Sequence, residues 1–326
     1  MDYTTLGRSG LRVSVAGLGC GGNSRIGQGS GLSEDESVAL VREALDLGVN
    51  FIDTAEAYGT EAIVGRAVRQ VPRESVVIST KCNIRRGEGY RSGADVVQAL
   101  DNSLGRLGLD HVDVFHLHAV GPAAYDHALK EQAPALLRAR EQGKLRHLGI
   151  TETGPNDPKQ EMAQRAVHDS CWEVIMLAYS MMNQGARRHV FPHTQRQGIG
   201  TLLMFVVRNI FSVPGLLAKT MAELVAAGKV PASLAGKDNP LDFLVRDGGA
   251  SDITEAAYRF ARHEKGADVV LFGTGNRAHL RRNIESICKP PLPAQDVQRL
   301  YDLFGTLQGV GLDLPGRVLA RAVAKG

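Results

Sequence analysis

Eight short, near-continuously apolar runs recur along the chain, at residues 13–18, 50–53, 76–80, 112–118, 147–150, 173–178, 201–205 and 269–272. They lead into segments whose apolar residues have helical spacing, at 33–47, 61–69, 94–107, 134–142, 157–168, 187–197, 251–263 and 278–287. This alternation constrains the fold more than any other feature. A strand followed by a crossover helix returns to a parallel neighbour. Runs without polar alternation suit a sheet that is covered on both faces. An open doubly wound sheet and a closed barrel both satisfy the pattern. Eight units in 326 residues match a barrel with insertions. The expected fold class is therefore α/β, a (β/α)8 TIM barrel. Before the first unit, "YTTLGRSGLRVSVAGLG" alternates around "GRSG" and reads as an N-terminal β-hairpin.

Local signals place several helix ends. Ser33 and Glu36 form a capping box ahead of 33–47, and Gly48 follows that helix. Asp157-Pro158 reads as an N-cap with proline at the first helical position, and Gly108 closes 94–107. One interval breaks the rhythm. Residues 206–250 form a long loop after the seventh strand, with a helix at 216–227. Loops of this length are usually functional or disordered, and its mixed aromatic and aliphatic content predicts an ordered lid. Residues 293–326 read as a C-terminal helix and extension, all within a single domain spanning 1–326.

Composition narrows the function classes. With 38 basic and 35 acidic residues the net charge is +3, and no basic cluster forms a phosphate track, so no nucleic-acid partner is expected. "MDYTTLGRSG" lacks the apolar core of a signal peptide, and "IGTLLMFVV" is too short to span a bilayer before Arg208 interrupts it. Cys20, Cys82, Cys171 and Cys288 are scattered without a CxxC, as in a reduced cytoplasmic protein with free thiols. No Cys or His pair sits at ligand spacing beside a third partner, so no metal is expected.

"GLGCGG" at 17–22 matches GxGxxG after a strand. A Rossmann fingerprint must open directly into a helix, whereas here "NSRIGQGSGLS" intervenes. Gly19, Cys20 and Gly21 instead form a glycine-rich strand end that lets a cofactor approach the backbone.

In a parallel barrel, catalytic groups sit at the C-terminal ends of strands. The second strand ends in Asp53, with Tyr58 in the loop beyond; the third ends in Thr80-Lys81; the fourth ends in His118. Taken singly, Asp53 could cap a helix and Tyr58 could pack. A lysine ending an apolar strand needs a partner. His116 shares the parity of His118, which lies nearer the mouth. Together the four suit carbonyl reduction, in which a hydride arrives at carbon and a proton at oxygen. An ammonium beside the phenol is expected to lower its pKa, a carboxylate to hold the ammonium, and an imidazole to hydrogen-bond the carbonyl.

These segments resemble the aldo-keto reductase family. The likeness is carried by "FIDTAEAYGTEAIVGRAV", "ISTK", "SLGRLGLDHVDVFHLH", "GKLRHLGIT" and "GTGNRAHLRRNI", and extends over nearly the whole chain. It implies Tyr58 as general acid/base, tuned by Lys81 and Asp53, with His118 orienting the carbonyl. It implies NADP as cofactor, with NAD possible, and no metal. Thr151 would contact the nicotinamide carboxamide, and Gly273, Thr274, His279 and Asn283 would lie near the adenosine half. Glu152 stands where the family commonly has Asn, and Met176 where it has Gln. Met204 or Phe205 takes the place under the nicotinamide. His279 occupies the place of the residue that reads the 2′-phosphate, with Arg277 and Arg282 nearby. "MFVVRN" replaces the usual text after the seventh strand; its Arg208 suits a phosphate or carboxylate, and equally a surface ion pair.

The expected activity is NAD(P)-dependent hydride transfer to or from a small-molecule aldehyde, ketone or sugar hydroxyl. The altered carboxamide contacts motivate an alternative, a cofactor-binding regulatory subunit with little turnover. A lyase using Lys81 as a Schiff base would leave Asp53 and Tyr58 without roles.

Overall fold

The computed structural model describes residues 1–246 and 249–313. Eight parallel strands close into a barrel: Ala16–Gly19, Phe51–Asp53, Val77–Asn83, Val112–Val120, Leu145–Glu152, Val174–Ala178, Gly200–Met204 and Val269–Phe272. Seven of them overlap an apolar run; the run at 13–18 is divided, its start lying in the hairpin strand Arg12–Ser14 and its end in the barrel strand Ala16–Gly19. The circle closes because the eighth strand pairs with the first and the sixth with both the fifth and the seventh. Alternate residues divide between two apolar layers. Phe51, Val77, Val114, Val174, Met176, Leu202 and Val269 fill the barrel. Ile52, Ile78, Phe115, Ile150, Ile175 and Leu203 face the surrounding helices. Both faces of every strand are buried, which is why the runs lack polar alternation.

The N-terminal hairpin pairs Tyr3–Thr5 with Arg12–Ser14 across the bottom of the barrel. Its Leu6 and Val13 are fully buried and join the interior layer. Each such side chain contributes about 1.5–3 kcal/mol. Arg8 fastens the hairpin by donating to the carbonyls of Ser170, Trp172 and Gln197 at 2.8, 2.9 and 2.8 Å.

The helix Glu34–Asp46 starts at the expected capping box, with Ser33 and Glu36 exchanging side-chain and backbone bonds. Ser92 and Asp95 build a second box before Gly93–Leu107, and Gly108 closes that helix in the left-handed conformation. Two helices differ from expectation. Asp157 is not the N-cap of a helix running through Pro158. A turn intervenes, Gln160 takes φ 59°, and the helix spans Glu161–Ala166. The Asp157 carboxylate still caps it, accepting the amides of Glu161 and Met162 at 2.9 Å each. The expected helix at 187–197 is split into Gly185–His189 and Phe191–Gln197. Pro192 lacks the N–H that a continuous helix would need there.

After the seventh strand the chain forms Asn209–Ser212, Leu216–Ala226 and two short turns before the helix Ile253–Arg262. The C-terminal helix Ala294–Phe304 docks through Glu264, whose carboxylate accepts the hydroxyls of Tyr179 and Tyr301 and lies 3.5 Å from Arg187. Most of the expected extension beyond that helix lies outside the described residues. Among the described residues no helix is long and apolar enough to cross a membrane.

Candidate active site

Strand register brings the candidate residues together. Asp53 pairs in register with Ser79, and Lys81 with His116. Ser79 and Lys81, two apart on one strand, both reach Asp53. The Ser79 hydroxyl donates to Oδ1 at 2.9 Å. Lys81 Nζ donates to Oδ1 at 2.7 Å, to Oδ2 at 2.6 Å and to the Thr54 carbonyl at 2.8 Å. The two side chains are 0% and 4% exposed. Burial works against the lysine charge, but the Asp53 carboxylate outweighs it and holds the Lys81 pKa above its ordinary value.

Tyr58 sits above this pair at the end of the short turn Glu56–Tyr58. The turn is fixed by a two-pronged bond from Arg91 to Glu56, at 2.9 and 3.2 Å, and by Arg25 Nε donating to the Tyr58 carbonyl at 2.9 Å. Gly21 makes room for the ring: a Cβ there would lie 2.5 Å from Tyr58 Cε2. The Lys81 ammonium is 5.0 Å from the ring centre. His118 meets the ring edge-on at 5.6 Å and 87°. His116 is fully buried deeper in the barrel, in space left by Gly149, where a Cβ would lie 2.2 Å from its Nδ1. Depth therefore separates the two histidines where parity does not.

The electrostatics correct one expectation. Burial pushes the Tyr58 phenol above its ordinary pKa; Lys81 pulls it down, and Asp53 pushes it back up. The ammonium does not produce a net lowering, because burial, with Asp53 adding to it, outweighs its pull. Burial and the Lys81 charge push His118 down to about 3, so its imidazole is neutral. The mouth holds a protonated phenol, a neutral imidazole and a buried ion pair. Such a set can give a proton to an oxygen on which negative charge develops.

A cleft of about 560 Å³ runs from Asp53 and Tyr58 to the start of the helix Arg277–Cys288. Nine of the proposed cofactor contacts line it: Gly19, Gly21, Met176, Met204, Gly273, Thr274, His279, Arg282 and Asn283. Four others do not. The Cys20 thiol is buried in the outer apolar layer, which pushes its pKa up. Thr151 is buried, its hydroxyl accepting the Ala119 amide at 2.8 Å. Arg277 is exposed and pairs with Glu43 at 3.3 Å. Glu152 lies between the fifth and sixth strands, accepting the Ala178 amide at 2.6 Å and Gln160 Nε2 at 3.3 Å. Thr254 and Tyr258 also line the cleft. One turn apart on a helix, they left only an i, i+4 pair as a sequence signal.

Glu152 is 2% exposed, and its Oε2 has no hydrogen-bond partner. Burial raises its pKa from 4.5 to about 8, against the bonds from Ala178 and Gln160. The folded-state pKa is raised, so folding favours the protonated acid. The associated stability is fully present below the unfolded value and is lost as pH rises through the folded one. Glu152→Gln keeps the acceptor and removes the ionisation. It is expected to match the wild type at pH 5 and to exceed it by about 2–4 kcal/mol at pH 9. Denaturant melts at the two pH values check this; an equal difference at both contradicts a neutral Glu152.

The sequence profile of the Aldo/keto reductase family matches residues 17–303. L-galactose dehydrogenase of Arabidopsis thaliana is 28% identical over 318 residues, which cover 95% of each chain. Aldo-keto reductase YhdN of Bacillus subtilis is 27% identical over 297 residues, covering 84% of this chain and 85% of that one. Among solved structures, the holo form of aldo-keto reductase AKR11C1 from Bacillus halodurans superposes with a TM-score of 0.70 at 23% identity, over 96% of this chain and 100% of that one. The barrel with its strand-end residues and the match over most of the chain agree: the chain belongs to the aldo/keto reductase family of NAD(P)-dependent oxidoreductases.

Proposed function

We propose that the chain reduces an aldehyde or ketone, or oxidises a sugar hydroxyl, with Tyr58 as the proton donor and acceptor. The observation that carries this reading is the half-buried Tyr58 at the cleft, above the Asp53–Lys81 pair and edge-on to His118. The name of the Arabidopsis relative supports sugar hydroxyls as a substrate class. No observation favours a regulatory subunit.

The cleft fits a dinucleotide. Its wall is glycine at Gly19 and Gly273, where a Cβ on Gly273 would come within 3.1 Å of the Gly19 carbonyl. Met176 and Met204 offer an apolar seat for a flat ring, and Thr274, His279, Arg282 and Asn283 offer polar contacts at the far end. When bound, the nicotinamide supplies or accepts the hydride. Tyr58 gives its hydroxyl proton to the carbonyl oxygen as negative charge develops there. Lys81 stabilises the resulting phenolate, and Asp53 keeps Lys81 charged and in place. Neutral His118 donates a hydrogen bond to the same oxygen and so sets the angle of the carbonyl. The described residues of the 206–250 interval would serve as the substrate loop, so the carbonyl's other substituents would meet them.

The phosphorylated cofactor is the proposed form, with His279 and Arg282 facing the 2′-phosphate. Asp252 already pairs with Arg282 through Oδ2, while its Oδ1 caps the helix Ile253–Arg262. Asp252→Asn keeps the cap and frees the guanidinium. It is expected to raise the NADPH-over-NADH ratio of kcat/KM about 3–10-fold, and Arg282→Ala to lower it similarly. The assay is NAD(P)H consumption with aldehydes and ketones, and NAD(P)+ reduction with aldoses. Nucleotide binding without turnover of any of these would sink the proposed activity.

A further inference from the structure

Arg208 lines the cleft four residues after Met204, the last residue of the seventh strand, and the same cleft is lined by His279 and Arg282. A dinucleotide with its flat ring on Met204 and its far end at His279 and Arg282 carries its diphosphate, the most strongly charged part, between the two. Arg208 is held there deliberately. Phe205 takes φ 63°, a left-handed conformation that costs a non-glycine residue about 1–2 kcal/mol. The Phe205 ring then lies 4.8 Å below the guanidinium, which fixes its plane.

The guanidinium is only partly used. Its carboxylate partner is Asp313, far along the sequence in the C-terminal segment. Both contacts go to one nitrogen: Nη2 donates to the Asp313 carbonyl and, at 3.1 Å, to Oδ2. A guanidinium built for a permanent ion pair usually offers two nitrogens in parallel. Here Nε is buried without a partner. The two side chains are 18% and 29% exposed, so the pair is neither sealed off nor free in solvent.

We propose that Arg208 is the diphosphate-binding cation of the cleft, and that Asp313 is its resident counter-ion, displaced when a dinucleotide binds. The C-terminal segment and the cofactor then compete for one guanidinium. A diphosphate carries more charge than the carboxylate and presents oxygens in the geometry that an arginine fork matches. Release of Asp313 removes that tie between the two segments as the cleft fills, while the buried Leu312 and the Gly309 amide bond to Asn183 Oδ1 stay in place. This inference rests on the dinucleotide reading given above.

The test is a double-mutant cycle read by calorimetric titration of the full-length protein. The probes are NADPH, NADH and ADP-ribose, the last carrying the diphosphate without the nicotinamide. Asp313→Asn is expected to tighten all three by about fivefold. Arg208→Met is expected to weaken them by about tenfold or more, and Arg208→Lys, which keeps the charge but not the fork, by less. In the Arg208→Met background, Asp313→Asn should have no further effect. The proposal is overturned if Asp313→Asn leaves affinity unchanged or weakens it, or if its effect persists without Arg208. A wild-type protein that binds none of the three probes overturns the dinucleotide reading and this inference with it; wild-type binding with an indifferent Asp313 overturns this inference alone.

Discussion

Tyr58→Phe is expected to lower kcat by about 10²–10⁴-fold, the usual contribution of a positioned proton donor. The substitution removes one oxygen and little else. The phenyl ring still fits the space left by Gly21, still meets the His118 edge and still lies over Lys81. Dinucleotide affinity should therefore stay at the wild-type level, and the loss should fall on turnover. Steady-state kinetics beside a binding titration separate the two. Retention of kcat would remove Tyr58 from the proton transfer. Because burial raises the phenol's pKa, the donor is fully protonated through neutral pH. Carbonyl reduction should be flat there and should decline only in strongly alkaline solution.

Lys81→Met is expected to damage both activity and stability. Lys81 is wholly buried, and its ammonium gives two of its bonds to Asp53. Deleting it strands a carboxylate that Ser79 alone cannot satisfy. Breaking a buried pair in this way costs about 3–5 kcal/mol, mostly from the charge left behind. The double variant Asp53→Asn, Lys81→Met removes both charges and should recover much of that stability while remaining inactive. Denaturant unfolding of the single and double variants decides the matter. A double variant no more stable than Lys81→Met would show that the stranded charge is not the cause.

The barrel was legible because its strands are buried on both faces, so each appears in the sequence as a continuous apolar run. Asp53, Lys81 and His118 were legible because each stands where such a run ends, and Tyr58 because it follows in the loop just beyond Asp53. What escaped depends on contacts between distant segments. Glu152 looked like a cofactor contact by its place after the fifth strand. The groups it bonds are the backbone amide of Ala178, on the neighbouring sixth strand, and the side-chain amide of Gln160, eight residues on. Cys20 sits between two glycines of the cleft wall, but its side chain points the other way by strand alternation. Proximity to Lys81 alone predicts a lowered phenol pKa; burial, which the sequence does not display, and then Asp53 reverse that direction. Pro192, by contrast, is a sequence signal that already marks the break between Gly185–His189 and Phe191–Gln197.

The hairpin at the base of the barrel has a consequence for the traffic of protons. Leu6 and Val13 close the lower end against Phe51, Val77, Val114 and Val174, and Arg8 holds the closure in place. An apolar stopper of this kind leaves no file of water to Lys81 from below. Protons that enter or leave the Asp53, Lys81 and Tyr58 group must then cross the upper opening, which a bound substrate would fill. Proton donation to the substrate and resupply from solvent would share one doorway, and would have to alternate through it.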